Sequence, residues 1–262
     1  MKTSARRQSE YWDNVAGHIQ GSDAPDKDLV GYHSPYDAHV RRIAALLLDR
    51  FSAAVVKKDC IAELGSGAGL NLRYFARFTP KKLLAFDCSS QLLNLARANL
   101  SSVDNIEFIQ TSGEDIPVPP GTSIDLLFTV TVLQHITDPE MYRRVTAAMM
   151  DAKPATILII EDTRRPARQL TPHYILRSPS DYISSFDGDK YSLVMTQFAS
   201  LTWAARLFGL INRLFGLYKQ AEGCQLPKAA FTMTRFLSPL AARLDTLLPG
   251  KFGMTAALFH VR

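Results

Sequence analysis

Short apolar stretches alternate with helix-periodic stretches through the middle of the chain. Five short segments are predicted strands: "DCIAELG", "KLLAFDC", "NIEFIQ", "SIDLLFTV" and "ATILIIED". Helical patterns follow the first, second and fourth of them: "LNLRYFARF", "SSQLLNLARANL" and "DPEMYRRVTAAMMDA". The strands are mostly apolar throughout, as burial on both faces of a sheet requires. This order predicts a parallel sheet with helices on both faces.

The flanking regions depart from this rhythm. Residues 1–38 are predicted to be an irregular, aromatic-containing lead-in, and residues 38–51 have the apolar spacing of a helix. After the fifth strand, "YSLVMTQF" and "KFGMTAALFHV" predict two more strands, with helices at roughly 200–220 and 228–248 between them. We therefore expect one α/β domain with a seven-stranded, mostly parallel sheet and a helical insertion before the last strand.

Composition narrows the class of protein. The chain has 262 residues, 47% hydrophobic and 21% charged, which is typical of a soluble globular domain. We see no signal peptide and no apolar run of about 18 residues, so we expect a cytoplasmic protein without a spanning helix. Cys60, Cys88 and Cys224 lack metal-ligand spacing, so no metal site is predicted. A net charge of +5 does not demand nucleic acid.

A glycine-rich loop follows the first predicted strand. Gly65, Gly67 and Gly69 stand at alternate positions in "AELGSGAGLNLRYF". Such a turn lets a ligand approach backbone N–H groups at the carboxyl end of a strand. The dinucleotide pattern G-x-G-x-x-G would need glycine where Leu70 stands, and the phosphate-binding pattern G-x-x-x-x-G-K-[ST] is absent.

With Glu63 in front, the loop reads acidic-x-G-x-G-x-G and resembles motif I of the class I S-adenosylmethionine-dependent methyltransferases. Three further segments match the family in order and spacing: Asp87 at the tip of "LLAFDCS", "TSGEDIP" after the third strand, and "IDLLFTVTVLQHITDPE" around the fourth. The resemblance covers residues 55–162 and implies a Rossmann-like sheet and S-adenosylmethionine as cofactor.

The resemblance also implies a set of cofactor contacts. Glu63 attracts the methionine ammonium group, and the Asp87 carboxylate accepts hydrogen bonds from both ribose hydroxyls. Ser112 stands where many relatives have an acid, so the contact to the adenine amino group passes to Glu114, Asp115 or the backbone. The predicted cofactor-binding residues are Glu63, Gly65, Ser66, Gly67, Gly69, Asp87, Cys88, Gly113, Glu114, Asp115, Thr129 and Val130. Gln134 is a further candidate for the pocket wall.

Residues after the fourth and fifth strands are candidates for the reacting side. His135 can act as a general base near neutral pH, and its alternative role is a hydrogen-bonded wall residue. Glu161 and Asp162 can position a substrate or pair with arginines. The metal-dependent catechol branch of the family needs an acid after the fourth strand, where this chain has "TVT" at 129–131.

The acceptor side is predicted from arginines and aromatics. Arg164, Arg165, Arg168 and Arg177 follow the fifth strand, and a guanidinium suits phosphate or carboxylate, so an anionic acceptor contacting Arg164 or Arg165 is one hypothesis. A solvated loop is the alternative. Two aromatics of the lead-in, Tyr11 and Trp12, resemble residues that cover the cofactor in relatives, and plain packing explains them equally well.

The stretch at 200–220, "SLTWAARLFGLINRLFGLYKQ", is apolar apart from a narrow polar stripe. Such a helix can pack in a core, and the helices at about 200–248 together can form a homodimer or contact a membrane surface.

We interpret the chain as a methyltransferase acting on oxygen of a small molecule or glycan, with an anionic or lipid-linked acceptor as an option. Its expected parts are an N-terminal cap at 1–54, a cofactor-binding core at 55–162 and a substrate side at 163–262. The alternatives are a catalytically silent partner-binding subunit and a nicotinamide-dependent reductase, which Leu70 disfavours. A nucleic-acid substrate is not expected, because "TVTVLQH" replaces the N/D-P-P-Y/F segment of amino-methyltransferases.

Overall fold

The structure is a computed structural model that describes residues 4–20, 34–217 and 226–262. Cys224 and the end of the predicted helix at 200–220 lie outside these residues. The main sheet of the structure has seven strands: β1 Cys60–Leu64, β2 Lys82–Asp87, β3 Ile106–Gln110, β4 Leu126–Val130, β5 Thr156–Arg164, β8 Tyr191–Ser200 and β9 Phe252–Val261. Their order in the sheet is β3-β2-β1-β4-β5-β9-β8. The first five are parallel and β9 is antiparallel to both neighbours, so the predicted Rossmann-like architecture is confirmed.

Helices cover both faces of the sheet. They are α1 Ser4–Gln20, α2 Pro35–Ala53, α3 Leu70–Ala76, α4 Ser90–Asn99, α5 Pro139–Asp151, α6 Pro179–Ser184, α7 Thr202–Phe215 and α8 Lys228–Leu247, with a 3₁₀ turn at Leu133–His135. None of the helices in the described ranges combines the length and apolar character needed to cross a bilayer.

Two buried apolar clusters explain why the strands are apolar throughout. In β2, Leu84 and Phe86 belong to the cluster on one face, whereas Leu83 and Ala85 belong to the cluster on the other. Successive side chains of a strand point to opposite faces, so both faces of β2 are buried.

The irregular lead-in predicted for residues 1–38 is wrong for much of its length. Residues 4–20 form α1, whose Val15 and Ala16 pack against Ala68, Leu92 and Leu95. Docking on α4 stabilises this helix, and that contact is distant in sequence. α2 also begins earlier than predicted, because Ser34 caps it and Pro35 occupies its first turn.

A two-stranded hairpin forms between the sheet and α6, with β6 at Arg168–Thr171 and β7 at Tyr174–Leu176. Its strands are short, and β6 is exposed along its whole length, so no apolar periodicity indicated them. The insertion before β9 contains α7 and α8, which pack against each other and against α2.

Candidate active site

The glycine loop connects β1 to α3 at the carboxyl ends of the parallel strands. Gly65, Gly67 and Gly69 all have positive φ, at 75°, 52° and 89°. The amides of Gly65 and Ser66 both donate to the Phe86 carbonyl, at 2.7 and 3.0 Å. A Cβ atom at position 65 would lie 2.3 Å from Cγ2 of Val132. The loop therefore requires glycine at position 65 for both its conformation and its close packing.

Asp87 joins the end of β2 to this loop. Its Oδ2 accepts a hydrogen bond from the Gly67 amide at 2.8 Å, and its Oδ1 accepts one from the Ser89 amide at 2.9 Å. Burial raises the pKa of Asp87 although these amide hydrogen bonds lower it. The carboxylate is thus held in place on the cavity wall, beside the glycine loop.

Glu63 is completely buried beneath the loop. Its Oε1 accepts a hydrogen bond from Asn71 Nδ2 at 2.7 Å, and its Oε2 has no partner among the described residues. Burial raises the pKa of Glu63 well above its ordinary value. A buried carboxylate oxygen without a donor is costly, and Glu63 lies next to the cavity-lining loop without being a wall residue itself.

A cavity of about 780 Å³ opens at this edge of the sheet. Its wall includes the loop at 64–68, Asp87 and Cys88, residues 111–113 after β3, and residues 130–132 and 134–136 after β4. Asp162 and Tyr174 line it from β5 and β7, and α1 and α2 supply further wall residues. The volume is within the range of small-molecule sites in proteins.

Helix α1 is hydrogen-bonded to two segments of the cavity wall. Gln8 Nε2 donates to the His135 carbonyl at 2.8 Å, and Ser9 Oγ donates to the Cys88 carbonyl at 2.9 Å. Trp12 lines the cavity, whereas the Tyr11 ring stacks on His173 with 4.4 Å between centroids and is not a wall residue. α1 therefore bridges the segments that follow β2 and β4.

His135 lies in the wall after β4. Its Nδ1 is 3.1 Å from the His173 carbonyl, which implies that Nδ1 carries the hydrogen and Nε2 the lone pair. The Trp12 ring meets it edge-on at 4.9 Å, and the Tyr174 ring is 5.3 Å away. Burial lowers the pKa of His135 to about 4, so the imidazole is neutral at physiological pH.

Asp162 and Tyr174 form a pair that the sequence did not single out. Tyr174 donates a hydrogen bond to Asp162 Oδ2 at 2.7 Å, while Oδ1 is buried without a partner among the described residues. Burial raises the pKa of Asp162 to about 6. The available signal was its place at the end of β5, but its partner lies in a hairpin that no pattern predicted.

Glu161 has a supporting role next to this pair. Its carboxylate accepts hydrogen bonds from the amides of Val132, Leu133 and Gln134, at 3.1, 3.0 and 3.2 Å. Burial nevertheless raises its pKa to about 8. No arginine in the described residues pairs with it, so the expected ion pair is replaced by contacts that shape the loop after β4.

The four arginines at the end of β5 and beyond it do not gather at the cavity. Arg177 is buried, donates to the carbonyls of Leu133 and Ile136 at 2.8 and 2.6 Å, and stacks 3.8 Å from the Tyr142 ring. Arg164, Arg165 and Arg168 are not wall residues. β5 stays paired with β9 up to Arg164, two residues beyond Asp162, which is the wall residue of this strand. The cavity's guanidinium groups come from α2 instead, at Arg41 and Arg42.

The segment after β3 lies only partly in the cavity wall. Gly113 lines the cavity with Thr111 and Ser112. Glu114 instead forms an ion pair with Arg144 of α5 at 2.6 Å, and both Glu114 and Asp115 line a separate surface cavity.

The remaining predicted cofactor residues divide between the wall and the interior. Val130 and Cys88 line the cavity. Gly69 begins α3, and the Thr129 hydroxyl is buried in β4 without a partner among the described residues; neither is a wall residue. The parts of the chain that are described hold no group of three metal-ligating side chains.

Comparison with known proteins gives a family match over the core of the sheet. The family described as "Methyltransferase domain" matches residues 61–154. A curated relative, the malonyl-acyl-carrier-protein O-methyltransferase of Marinomonas sp. (strain MWYL1), is 32% identical over 91 residues, which are 32% of this chain and 33% of that protein. The match thus spans about a third of the length of the curated relative.

Solved structures match over nearly the whole chain. The (4+2)-cyclase SpnF has a TM-score of 0.66 at 11% identity, covering 98% of this chain and 97% of that one. A protein described as a sarcosine dimethylglycine methyltransferase from Galdieria sulphuraria has a TM-score of 0.61 at 16% identity, covering 95% and 97%. At these identities the structures show the fold alone. The family match over residues 61–154, the motif order and the fold agree with the resemblance of this core to the class I S-adenosylmethionine-dependent methyltransferases.

Proposed function

We propose that the chain transfers a methyl group from S-adenosylmethionine to a hydroxyl group of a small acceptor or of the end of a glycan. The observation that carries this proposal is one continuous cavity. The same wall contains the glycine loop with Asp87 and the Asp162–Tyr174 pair, so a cofactor site and a proton acceptor face a common space.

The residues at and behind the glycine loop suit the cofactor. The unpartnered Oε2 of Glu63 is a site for the ammonium group, directly or through a water molecule. Each Asp87 oxygen accepts one amide bond and retains capacity for a ribose hydroxyl. When bound, the cofactor supplies a methyl group already activated by a positively charged sulfur.

The Asp162–Tyr174 pair suits an acceptor hydroxyl. Asp162 is ionised above a pH of about 6, and its free Oδ1 can take the proton of the acceptor. Tyr174 holds the other oxygen and orients the carboxylate. We assign the general base to Asp162 rather than His135, because a base whose conjugate acid has a pKa of about 6 is stronger than one whose conjugate acid has a pKa of about 4.

Oxygen as the accepting atom agrees with the name of the curated relative, an O-methyltransferase. The cavity of about 780 Å³ must contain both the cofactor and the reacting part of the acceptor. This favours a small molecule or the terminus of a larger one. An anionic group on the acceptor would contact Arg41 or Arg42, which replace Arg164 and Arg165 in this hypothesis.

Methyl-labelled cofactor and fractionated cell extract test the proposal. We expect the native protein to label one class of acceptor and Asp162→Asn to label it far less. Calorimetry with S-adenosylhomocysteine should show that both proteins bind the product equally. Cofactor binding without labelling of any fraction would instead support a catalytically silent subunit. Tight binding of a nicotinamide dinucleotide alone would contradict the proposal.

A further inference from the structure

The exposed face of α7 alternates cationic and apolar side chains. Arg206, Leu210, Arg213 and Leu214 follow the i, i+4, i+7, i+8 spacing of one helix face. Leu210 and Leu214 are 53% and 64% exposed. This face therefore presents two exposed leucines next to two exposed arginines.

Helix α8 shows the same chemistry. Its buried face contains Ala230, Thr234, Ala241 and Asp245. The opposite face contains Phe236, Leu240 and Leu247, which are 76%, 58% and 74% exposed, with Arg243 among them. We call these exposed faces of the two packed helices the α7–α8 surface, defined by Arg206, Leu210, Arg213, Leu214, Phe236, Leu240, Arg243 and Leu247.

The charge of this region has one sign. The described parts of α7 and α8 carry five exposed cations, Arg206, Arg213, Lys228, Arg235 and Arg243. Asp245 is the one acid in the two helices, and it is buried. It accepts the amides of Trp203 and Ala204 at 2.9 and 3.0 Å at the start of α7. By sequence, residues 218–225 between the helices add one lysine and one glutamate, so they leave the net charge unchanged.

These observations select among the occupants that an apolar surface could have. A two-fold dimer would place the same patch on both copies, and the three arginines of the surface would face their three counterparts with no exposed acid of the described α7 and α8 to offset them. A spanning helix is absent from the described residues. Exposed leucine and phenylalanine next to arginine suit a bilayer whose headgroups are anionic, where apolar burial and charge attraction act together.

We propose that the α7–α8 surface binds the headgroup region of an anionic lipid bilayer. Phe236, Leu240 and Leu247 of α8 enter the boundary between headgroups and acyl chains. The arginines contact lipid phosphates. The proposal concerns a surface apart from the cavity and does not depend on the acceptor.

Vesicle co-sedimentation tests this binding with the full chain. We expect binding to vesicles of phosphatidylcholine mixed with phosphatidylglycerol, little binding to phosphatidylcholine alone, and weaker binding at high salt. Phe236→Ser with Leu240→Ser should abolish the binding. Arg213→Glu with Arg243→Glu should lower the partition coefficient by roughly tenfold or more, since each basic residue near the surface contributes several-fold.

Matched controls lie elsewhere on the chain. Val56→Ser changes an apolar side chain that is 98% exposed, and Lys153→Glu with Arg262→Glu reverses two exposed charges outside the surface. Both controls should bind vesicles as the native protein does, and S-adenosylhomocysteine affinity should be unchanged in every variant. Equal binding to neutral vesicles, or anionic binding that survives both test variants, overturns the proposal. So does a dimer that Phe236→Ser with Leu240→Ser separates, or capture of an acidic protein partner without any vesicle binding.

Discussion

Tyr174 donates a 2.7 Å hydrogen bond to one oxygen of Asp162, and the other oxygen is buried without a partner among the described residues. The two residues come from β7 and β5 and meet in the cavity wall. A carboxylate that is oriented at one oxygen and unpaired at the other is prepared to receive a proton.

The pH dependence of the rate distinguishes the two candidate bases. Asp162 must be ionised to accept a proton, so kcat/KM should rise as the pH increases through about 6 and level off above it. A base at His135 would place the rise near a pH of about 4. In Asp162→Asn the rise near 6 should disappear and the rate should fall by about 10²–10⁴. An unchanged profile in this variant would exclude Asp162 as the base.

Replacing His135 should lower the rate less than replacing Asp162 does if His135 is only a wall residue. We expect His135→Ala to lower the single-turnover rate by less than about tenfold, because general-base catalysis itself contributes about 10²–10⁴. Cofactor affinity, measured by calorimetry, should change little. A loss of 10²-fold or more at unchanged affinity would assign the base to His135 as the sequence predicted.

Asp87 should control cofactor affinity. Asp87→Asn replaces one accepting oxygen with an amide group that cannot accept from the Gly67 amide or from a ribose hydroxyl. We expect the Kd of S-adenosylmethionine to rise by roughly 10–100-fold, equivalent to the 1.5–3 kcal/mol of a hydrogen bond to a charged group. Asp104→Asn, an exposed acid in the loop before β3, should leave the Kd unchanged.

Gly65 should be intolerant of a side chain. Gly65→Ala requires a left-handed conformation, which costs about 1–3 kcal/mol for other residues, and adds a methyl group 2.3 Å from Val132 Cγ2. We expect a lower urea midpoint and weaker cofactor binding. Gly188→Ala is the matched control, since a Cβ atom there meets nothing within 4 Å. Equal stability of the two variants would show that the loop tolerates a shift of Val132.

Once labelling has identified the acceptor, the arginine that contacts it can be tested. For an anionic acceptor, Arg42→Ala should raise KM by up to about fivefold at low salt, since an exposed ion pair contributes up to about 1 kcal/mol. Arg164→Ala and Arg165→Ala should change KM little, because neither residue lines the cavity. A larger increase in KM for Arg164→Ala or Arg165→Ala than for Arg42→Ala would instead support acceptor binding by those two arginines.

The parallel sheet and the cofactor loop could be predicted because their signals are local. A strand buried on both faces is apolar throughout, and the loop, Glu63 and Asp87 occur at the fixed spacings of one motif. The ion pair of Glu114 could not be predicted from the sequence, because its partner Arg144 lies 30 residues away on another element. Helix α1 was missed for the same reason, since its stabilising contacts are with α4.

Arg177 joins two regions that sequence comparison would treat as separate. Its guanidinium binds the carbonyls of Leu133 and Ile136, so the hairpin of β6 and β7 is fixed to the loop that follows β4. Grafting the hairpin from one relative onto another, in order to change acceptor preference, therefore has a defined boundary. A graft of residues 165–176 has to keep Tyr174, which orients Asp162, together with an arginine at position 177 and the loop that this arginine fastens.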